Sequence, residues 1–325
     1  SLMRKLIKGS FLPAVALAAL ALMFGPSAST GQQDAGMVLK TALVIAFPEG
    51  SGRLALPYDP VEYRLVTGRW SPPRAGEPFP LAMGPGQPAG GAREESAGGG
   101  SPAAEAAPGQ FPLPTRPVPP LAEAAAAPWE AVTADEKGWF SHPALNCGYA
   151  YIAFDSPRTE ILLLEGSAHD FVYVNGEPRI GNRYGQSDTY ESWQPRFDFS
   201  SIPVRLKPGR NDFLFKCLRG RLKVRLRRPP APAFLNPRDL TLPDLILGEA
   251  ANTRGAIVVV NATDQTLRNA RISVSGGGLL AQEAPVPDIL PLTVRKIAFP
   301  IEGPAPQAAG DLPIELTLLR NDRGR

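Results

Sequence analysis

Short, mainly apolar β-rich stretches, separated by turn residues, recur from Trp129 to about Arg228. They include residues 149–154 (YAYIAF), 160–165 (EILLLE), 171–174 (FVYV) and 212–218 (DFLFKCL). Asn175-Gly176 directly follows the third stretch and tolerates the positive φ of a tight turn, which predicts a hairpin over Phe171–Ile180. Short strands joined by turns, with little helix, predict a jelly-roll β-sandwich over residues 129–230.

A second group of β-rich stretches follows the Pro-rich hinge at residues 229–232. Its members are Ala256–Val260, Leu267–Val274, Leu292–Ile301 and Ile314–Leu319. Their spacing, within a unit of about 90 residues, is typical of an immunoglobulin-like sandwich. We therefore expect an all-β chain, with a second, immunoglobulin-like sandwich over residues 231–325.

Two further strands are predicted near the N-terminus, at Met37–Phe47 and Val61–Trp70, within a strand segment over residues 30–70. The sequence leaves open whether this segment completes the first sandwich or stands apart. Residues 71–128 are dominated by Pro, Gly and Ala. Such a composition buries too little apolar surface to offset the entropy of ordering the chain, so it predicts a disordered linker.

The first 29 residues have the order of a secretory signal peptide. Arg4, Lys5 and Lys8 precede an uncharged run from Phe11 to Phe24, and small residues follow at 27–29. An apolar run of about 14 residues is shorter than the ~20 that span a bilayer, which disfavours a membrane anchor. The sequence thus predicts a cleaved leader, no stable membrane insertion after cleavage, and export to the periplasm or the extracellular space.

The charge balance gives no indication of a nucleic-acid partner. The chain has 34 Lys and Arg against 31 Asp and Glu, and three of the basic residues lie in the leader, so the remainder is neutral. The segment Arg221–Arg227 places four basic residues on one face of a strand and three apolar residues on the other. This alternation predicts a solvated strand face rather than an anion or nucleic-acid patch.

No arrangement of residues predicts catalysis, a metal or a cofactor. The chain lacks a Gly-x-Ser-x-Gly elbow and a phosphate-binding Gly-x-x-x-x-Gly-Lys loop, and its two Cys and two His lack the paired spacing of zinc ligands. The acidic residues Asp155, Glu160, Glu165 and Asp170 lie at predicted strand ends, where solvation explains them. Whether an enzyme resides in these residues stays open.

The segment 181–197 combines aromatic and polar residues without periodicity. Aromatic rings stack on the C–H faces of sugars, while arginines and carboxylates bind hydroxyls, so this composition is typical of a carbohydrate site. The alternative is that the aromatic rings plug one end of the sandwich or dock a neighbouring domain. The candidate ligand-binding residues are Arg183, Tyr184, Asp188, Tyr190 and Trp193.

Cys147 and Cys217 both fall in the first predicted sandwich. In an exported protein they could form a disulfide, which by closing a loop of about 70 residues would contribute ~4 kcal/mol. The alternative is a pair of buried thiols that act as small apolar side chains.

Two segments carry a resemblance to a known family. Residues 172–177 (VYVNGE) and 204–215 (VRLKPGRNDFLF) resemble the galactose-binding-like jelly roll that serves as an accessory domain in secreted hydrolases, including glycoside hydrolases. The second unit is similar to the immunoglobulin-like spacers between such jelly rolls and a catalytic domain. The resemblance implies a non-catalytic accessory region, for ligand binding or spacing, of an exported hydrolase whose catalytic domain would follow residue 325. The alternative is a stand-alone lectin or adhesin that binds glycan.

Overall fold

A computed structural model describes residues 36–46, 59–80, 126–184 and 196–320, and the backbone of residues 3–5. The predicted all-β class is confirmed: these ranges hold antiparallel sheets and one short α-helix. The elements are β1 (Met3–Lys5), β2 (Met37–Val38), β3 (Thr41–Ile45), α1 (Pro60–Val66), β4 (Pro78–Phe79), β5 (Ala127–Pro128), β6 (Glu130–Thr133), β7 (Trp139–Ser141), a 3-10 turn (Pro143–Leu145), β8 (Tyr149–Ser156), β9 (Glu160–Ser167), β10 (His169–Val174), β11 (Glu177–Asn182), β12 (Ile202–Leu206), β13 (Gly209–Cys217), β14 (Arg221–Arg227), β15 (Ala233–Thr241), β16 (Ala251–Asn261), β17 (Ala270–Ser275), β18 (Gln282–Pro285), β19 (Thr293–Gly303) and β20 (Ile314–Arg320).

The first sandwich packs a six-stranded sheet on a five-stranded sheet. The six-stranded sheet has the order β11-β10-β13-β8-β3-β6, and the five-stranded sheet has the order β12-β9-β14-β2, with β7 also paired to β14. Alternate residues of each strand face inward, so the core between the sheets includes Val172, Phe213, Phe215, Leu162 and Val224. Phe213 and Phe215 are fully buried, and burial of each large side chain contributes about 2 kcal/mol.

The predicted hairpin is confirmed. Phe171 pairs with Ile180 and Val174 pairs with Glu177. Asn175 and Gly176 both have positive φ, at 52° and 86°, as a tight two-residue turn requires. The turn between β12 and β13 is stabilised by Asn211, which is buried. Its side-chain amide donates hydrogen bonds to the carbonyls of Lys207 and Gly209, both at 2.9 Å.

The N-terminal segment belongs to the first sandwich. Residues 37–45 form two strands rather than the single predicted strand, and each strand joins a different sheet. The second of them, β3, lies between β8 and β6 and pairs Leu43 with Tyr151. The alternative that the sequence left open is therefore decided: residues 36–46 complete the sandwich.

The strand predicted at Val61–Trp70 is wrong, because Pro60–Val66 is the helix α1. Asp59 caps this helix: its Oδ1 accepts hydrogen bonds from the N–H groups of Val61 and Glu62, both at 3.1 Å. Pro60 stands in the first turn, where its missing N–H costs nothing. Val61 is buried against the outer face of the six-stranded sheet. The apolar pattern predicted as a strand therefore reflects the packing of a helix against this sheet.

The predicted linker is ordered at both ends. Pro78–Phe79 pairs with Ala127–Pro128, and Phe79 packs edge-on against Trp129 with ring centroids 6.1 Å apart. The prediction of disorder is therefore wrong for residues 71–80 and 126–128. The rest of the predicted linker, 81–125, lies outside the described residues.

Replacing Asp59 with Ala should lower the free energy of unfolding by about 2 kcal/mol, through loss of the helix cap and of two partners. The side chain of Asp59 is 8% exposed, and its Oδ2 accepts from the hydroxyl of Tyr149 at 2.8 Å and from the ammonium of Lys216 at 3.0 Å. Urea denaturation followed by tryptophan fluorescence measures the change. Asp59→Asn, which retains a capping oxygen, should lose only about half as much, and equal losses would contradict a capping role.

The second predicted sandwich is confirmed over residues 233–320. A three-stranded sheet, β15-β16-β19, faces a four-stranded sheet, β1-β20-β17-β18. The four stretches predicted as strands overlap β16, β17, β19 and β20, whereas β15 and β18 were not predicted. The core between the sheets includes Ile257, Val259, Ile272, Phe299 and Leu316.

Only residues 3–5 of the predicted signal peptide, 1–29, are described, and they pair with β20 as β1. Cleavage and export stay predictions. Within the described ranges, no helix has the length and apolar character needed to cross a membrane.

The two sandwiches pack against each other through apolar side chains. Leu163 of β9 is fully buried and contacts a cluster with Phe234, Val258 and Val260 on the outer face of the three-stranded sheet. A hydrogen bond from the amide of Asn236 to the carbonyl of Phe199, at 3.1 Å, joins the same surfaces. This contact creates the clefts described below.

Candidate functional site

Two of the five predicted ligand-binding residues lie in the part of the chain that the structure describes. Arg183 and Tyr184 directly follow the end of β11, on the edge of the six-stranded sheet. Asp188, Tyr190 and Trp193 fall in 185–195, outside the described residues, so their part in a site stays a prediction.

A cleft of about 500 Å³ lies at Tyr184, between the two sandwiches. One wall comes from the first sandwich and includes Asp170, Arg183 and Tyr184. The other wall comes from the second sandwich and includes Asn236, Asp239, Val258 and Val294. We call this space the Tyr184 cleft.

Tyr184 supplies an exposed aromatic ring at this cleft. The residue is 56% exposed, and its N–H donates to Oδ1 of Asn182 at 3.2 Å, which fixes the backbone at the end of β11. The guanidinium of Arg219 lies 5.5 Å from the ring centroid, within the range of a cation–π contact. The ring is therefore held in place while more than half of the residue faces solvent.

Asp170 and Arg183 form an ion pair at the cleft wall. Asp170 lies in β10, and the chain returns to it through β11, whose Asn182 pairs with His169. At Gly181 a Cβ atom would lie 2.3 Å from the carbonyl oxygen of Asp170, so only glycine allows this close approach. The hairpin turn and Gly181 together bring the two charged groups into contact.

The opposite wall carries polar groups that the sequence analysis did not identify. Asp239 of β15 pairs with Lys296 of β19, whose ammonium also donates to Oγ1 of Thr241 at 2.9 Å. Nothing in the sequence around Asp239 indicates a site, because its place beside Tyr184 depends on how the two sandwiches pack.

A buried ionic network lies next to the cleft. Glu165, with a side chain only 2% exposed, accepts hydrogen bonds from Arg225 and Arg227, and from the hydroxyl of Ser201 at 2.9 Å. Ser201 also lines the Tyr184 cleft. Two predictions are wrong here: Glu165 is not a solvated strand end, and the basic face of β14 is not solvated.

The segment before β12 covers that basic face. Asp198, 1% exposed, pairs with Arg196 at 2.9 Å, and it lies 3.5 Å from both Arg225 of the first sandwich and Arg238 of the second. The ammonium of Lys223 lies 4.2 Å from the ring centroid of Phe197. The carboxylates of Glu165 and Asp198 neutralise Arg225 and Arg227, which explains why this part of the basic face can be covered.

The two histidines have structural surroundings. Nδ1 of His142 accepts from the N–H of Ala144 at 3.2 Å and so caps the 3-10 turn. His169 is 3% exposed and packs edge-on against Phe215, with ring centroids 5.2 Å apart. Burial lowers the pKa of His169 to about 4, so the ring is neutral near pH 7.

Cys147 and Cys217 are not joined to each other, so the disulfide, which the sequence left open, is not present in this structure. Cys217 is fully buried, and burial raises the pKa of its thiol. Among the described residues, no group of three or more His, Cys, Asp and Glu side chains could hold a metal ion.

Comparison with known proteins gives matches only among solved structures. No family model and no curated protein matches the chain. Two matching structures are GH2 beta-galacturonidases from Eisenbergiella tayi. The one bound to galacturonate is 12% identical with a TM-score of 0.27, and the match covers 53% of this chain and 35% of that chain. The one bound to glycerol is 13% identical with a TM-score of 0.28, and the match covers 59% of this chain and 37% of that chain. A third is the beta-glucuronidase of Bacteroides uniformis, which is 11% identical with a TM-score of 0.28; the match covers 54% of this chain and 24% of that chain.

The chain thus spans between 24% and 37% of the length of these three structures. Their TM-scores lie below 0.3, so these likenesses establish neither a shared fold nor a shared activity.

Proposed function

We propose that this chain is a non-catalytic accessory region of an exported glycoside hydrolase and that it binds a saccharide in the Tyr184 cleft. The observation that carries the proposal is the exposed ring of Tyr184 beside the ion pair of Asp170 and Arg183, at a cleft of about 500 Å³. The resemblance of residues 172–177 and 204–215 to galactose-binding-like jelly rolls supports the accessory role. The catalytic domain would follow residue 325.

The chemistry of the cleft fits a sugar better than an apolar ligand. A sugar ring presents C–H groups on its faces and hydroxyls around its edge, so it needs an aromatic surface together with donors and acceptors. Tyr184 offers the surface, Arg183 offers donors, and Asp170 and Asp239 offer acceptors on opposite walls. The volume lies within the range of about 300–1,000 Å³ that is usual for small-ligand pockets.

The packing between the sandwiches supports a preformed site. Leu163, Phe234 and Val260 are buried where the sandwiches meet, so the two cleft walls are held by apolar contacts. A site whose walls are already in place avoids part of the entropy cost of ordering on binding.

Tyr184→Ala should weaken saccharide binding about tenfold or more, because a stacked ring contributes on the order of 1.5 kcal/mol. A glycan array with the purified full chain identifies the best ligand, and titration calorimetry then compares the variants. Tyr184→Phe retains the ring and should bind within about threefold of wild type. Ile246→Ala, an exposed apolar residue in the loop after β15, is the matched control and should bind normally.

Absence of binding to any glycan by the folded full chain would refute the saccharide site. Equal affinities of wild type and Tyr184→Ala would refute its placement at Tyr184.

A stand-alone lectin or adhesin is the second candidate. The observation in its favour is that residues of the two sandwiches supply both walls of the Tyr184 cleft. The coding sequence downstream of Arg325 separates the candidates: an open frame that encodes a catalytic domain supports the accessory region, and a stop codon supports the lectin.

A further inference from the structure

A second cleft, of about 400 Å³, lies beside the hairpin turn of β10 and β11. Its lining includes three basic residues, Arg179, Arg205 and Lys207, together with Glu177, and Leu292 of the second sandwich closes one side. We call this space the basic cleft.

The basic cleft and the Tyr184 cleft follow one another along the same seam. Three elements each contribute residues to both clefts. In β11, Arg179 lines the basic cleft and Ile180 lines the Tyr184 cleft; in β12, Val204 and Ile202 do so, and at the start of β19, Leu292 and Val294 do so. Because these residues are one or two positions apart in every element, the two clefts are neighbours.

The basic groups of this cleft are only partly neutralised. Arg179 donates to Glu177 at 3.0 Å, and Arg205 pairs with Asp264 of the second sandwich, where both side chains are 49% exposed. Lys207 is exposed, and among the described residues no carboxylate lies within 4.0 Å of its ammonium. Lys207 therefore has no carboxylate partner that a ligand would have to displace, and the partly exposed Arg205 is accessible beside it.

The backbone of Lys207 is fixed although its ammonium is not. Its N–H donates to Oδ1 of Asn211 and its carbonyl accepts from Nδ2 of the same residue, both at 2.9 Å. Asn211 is fully buried, so the turn that carries Lys207 is held by the core of the sandwich. A basic group on a fixed turn can meet an anion at a defined place.

We propose that the two clefts form one groove for an anionic oligosaccharide. Tyr184 stacks on one sugar ring near the end of β11, and Lys207 and Arg205 pair with a carboxylate or sulfate group on a sugar several units further along the saccharide chain, near the hairpin turn. This inference rests on the proposed saccharide site and adds the class of ligand. Partly exposed charge pairs contribute modestly and are screened by salt, so each anionic group should improve affinity about fivefold at low ionic strength.

The test is calorimetry of the full chain with matched charged and neutral saccharides. The carboxylate arm compares tetramannuronate with its methyl ester, and the sulfate arm compares a carrageenan tetrasaccharide with its desulfated form. We expect the charged form of at least one pair to bind about fivefold or more tightly at ~0.05 M NaCl, and the preference to vanish at ~1 M NaCl. The arm that shows the preference identifies the anionic group.

Lys207→Gln combined with Arg205→Gln should abolish the preference and leave the neutral form bound as in wild type. Lys40→Gln removes an exposed charge between β2 and β3, at the opposite edge of the sheets, and should leave the preference unchanged. Equal binding of charged and neutral forms, or a preference that survives the double substitution, would overturn the anionic groove while the saccharide site stands. Absence of binding by every saccharide would overturn both.

Discussion

Replacing Glu165 with Gln is expected to lower the free energy of unfolding by about 3 kcal/mol, because it leaves buried arginine charge without its counter-ion. Arg225 and Arg227 are 19% and 24% exposed, and both donate to the Glu165 carboxylate. A neutral amide offers one acceptor in place of two, and its NH₂ group would face another donor. Guanidinium denaturation of the purified full chain, followed by circular dichroism, measures the loss.

The expected size follows from where the network lies. Glu165 sits within β9 under the segment that precedes β12, and Ser201 donates to it from that segment. Water can reach the arginines only in part, so their charges are poorly solvated once the carboxylate is neutral. The same substitution should loosen Ser201 and with it one wall of the Tyr184 cleft.

Glu283→Gln is the matched control. Glu283 pairs with Arg271 at 2.9 Å, but the two side chains are 46% and 58% exposed, and such pairs contribute at most about 1 kcal/mol. A loss of less than about 1 kcal/mol in Glu165→Gln would show that the network is hydrated in solution and does not stabilise the fold.

Acidification from pH 7 to pH 4 is expected to cost the fold about 3 kcal/mol through His169 alone. The pKa of this histidine is lowered from 6.5 to about 4 in the folded chain by burial, so the unfolded chain binds a proton at a higher pH than the folded chain does. The contribution is fully present above about pH 6.5, falls as the pH drops, and is lost when the pH reaches about 4.

The comparison of wild type with His169→Gln isolates this effect, since Gln cannot take up a proton. Their difference in free energy of unfolding at pH 7.5 reports packing against Phe215, and its change down to pH 4.5 reports the titration. We expect the wild type to lose about 2–3 kcal/mol more than the variant over that interval. Parallel curves for the two proteins would show that His169 is protonated without leaving its site.

Local sequence was sufficient for the strands and turns whose determinants are neighbours in the chain. The β-rich stretch at residues 212–218 predicted a strand, and Asn175-Gly176 predicted the hairpin turn through its tolerance of positive φ. The apolar pattern was misleading for Pro60–Val66, because a strand and a helix of only seven residues can show the same pattern. Asp59 caps this segment, which forms a helix. Short elements carry too few periods to be distinguished by pattern alone.

The sequence by itself determined an all-β chain of two sandwiches and a candidate site that includes Arg183 and Tyr184. Only the tertiary structure decided that Glu165 pairs with Arg225 and Arg227 of β14, that residues 36–46 complete the first sandwich, and that Asp239 lines the same cleft as Tyr184. The reason is physical: periodicity along a strand defines which residues share a face. What that face meets is set by packing between segments 50 or more residues apart, such as Glu165 with Arg225.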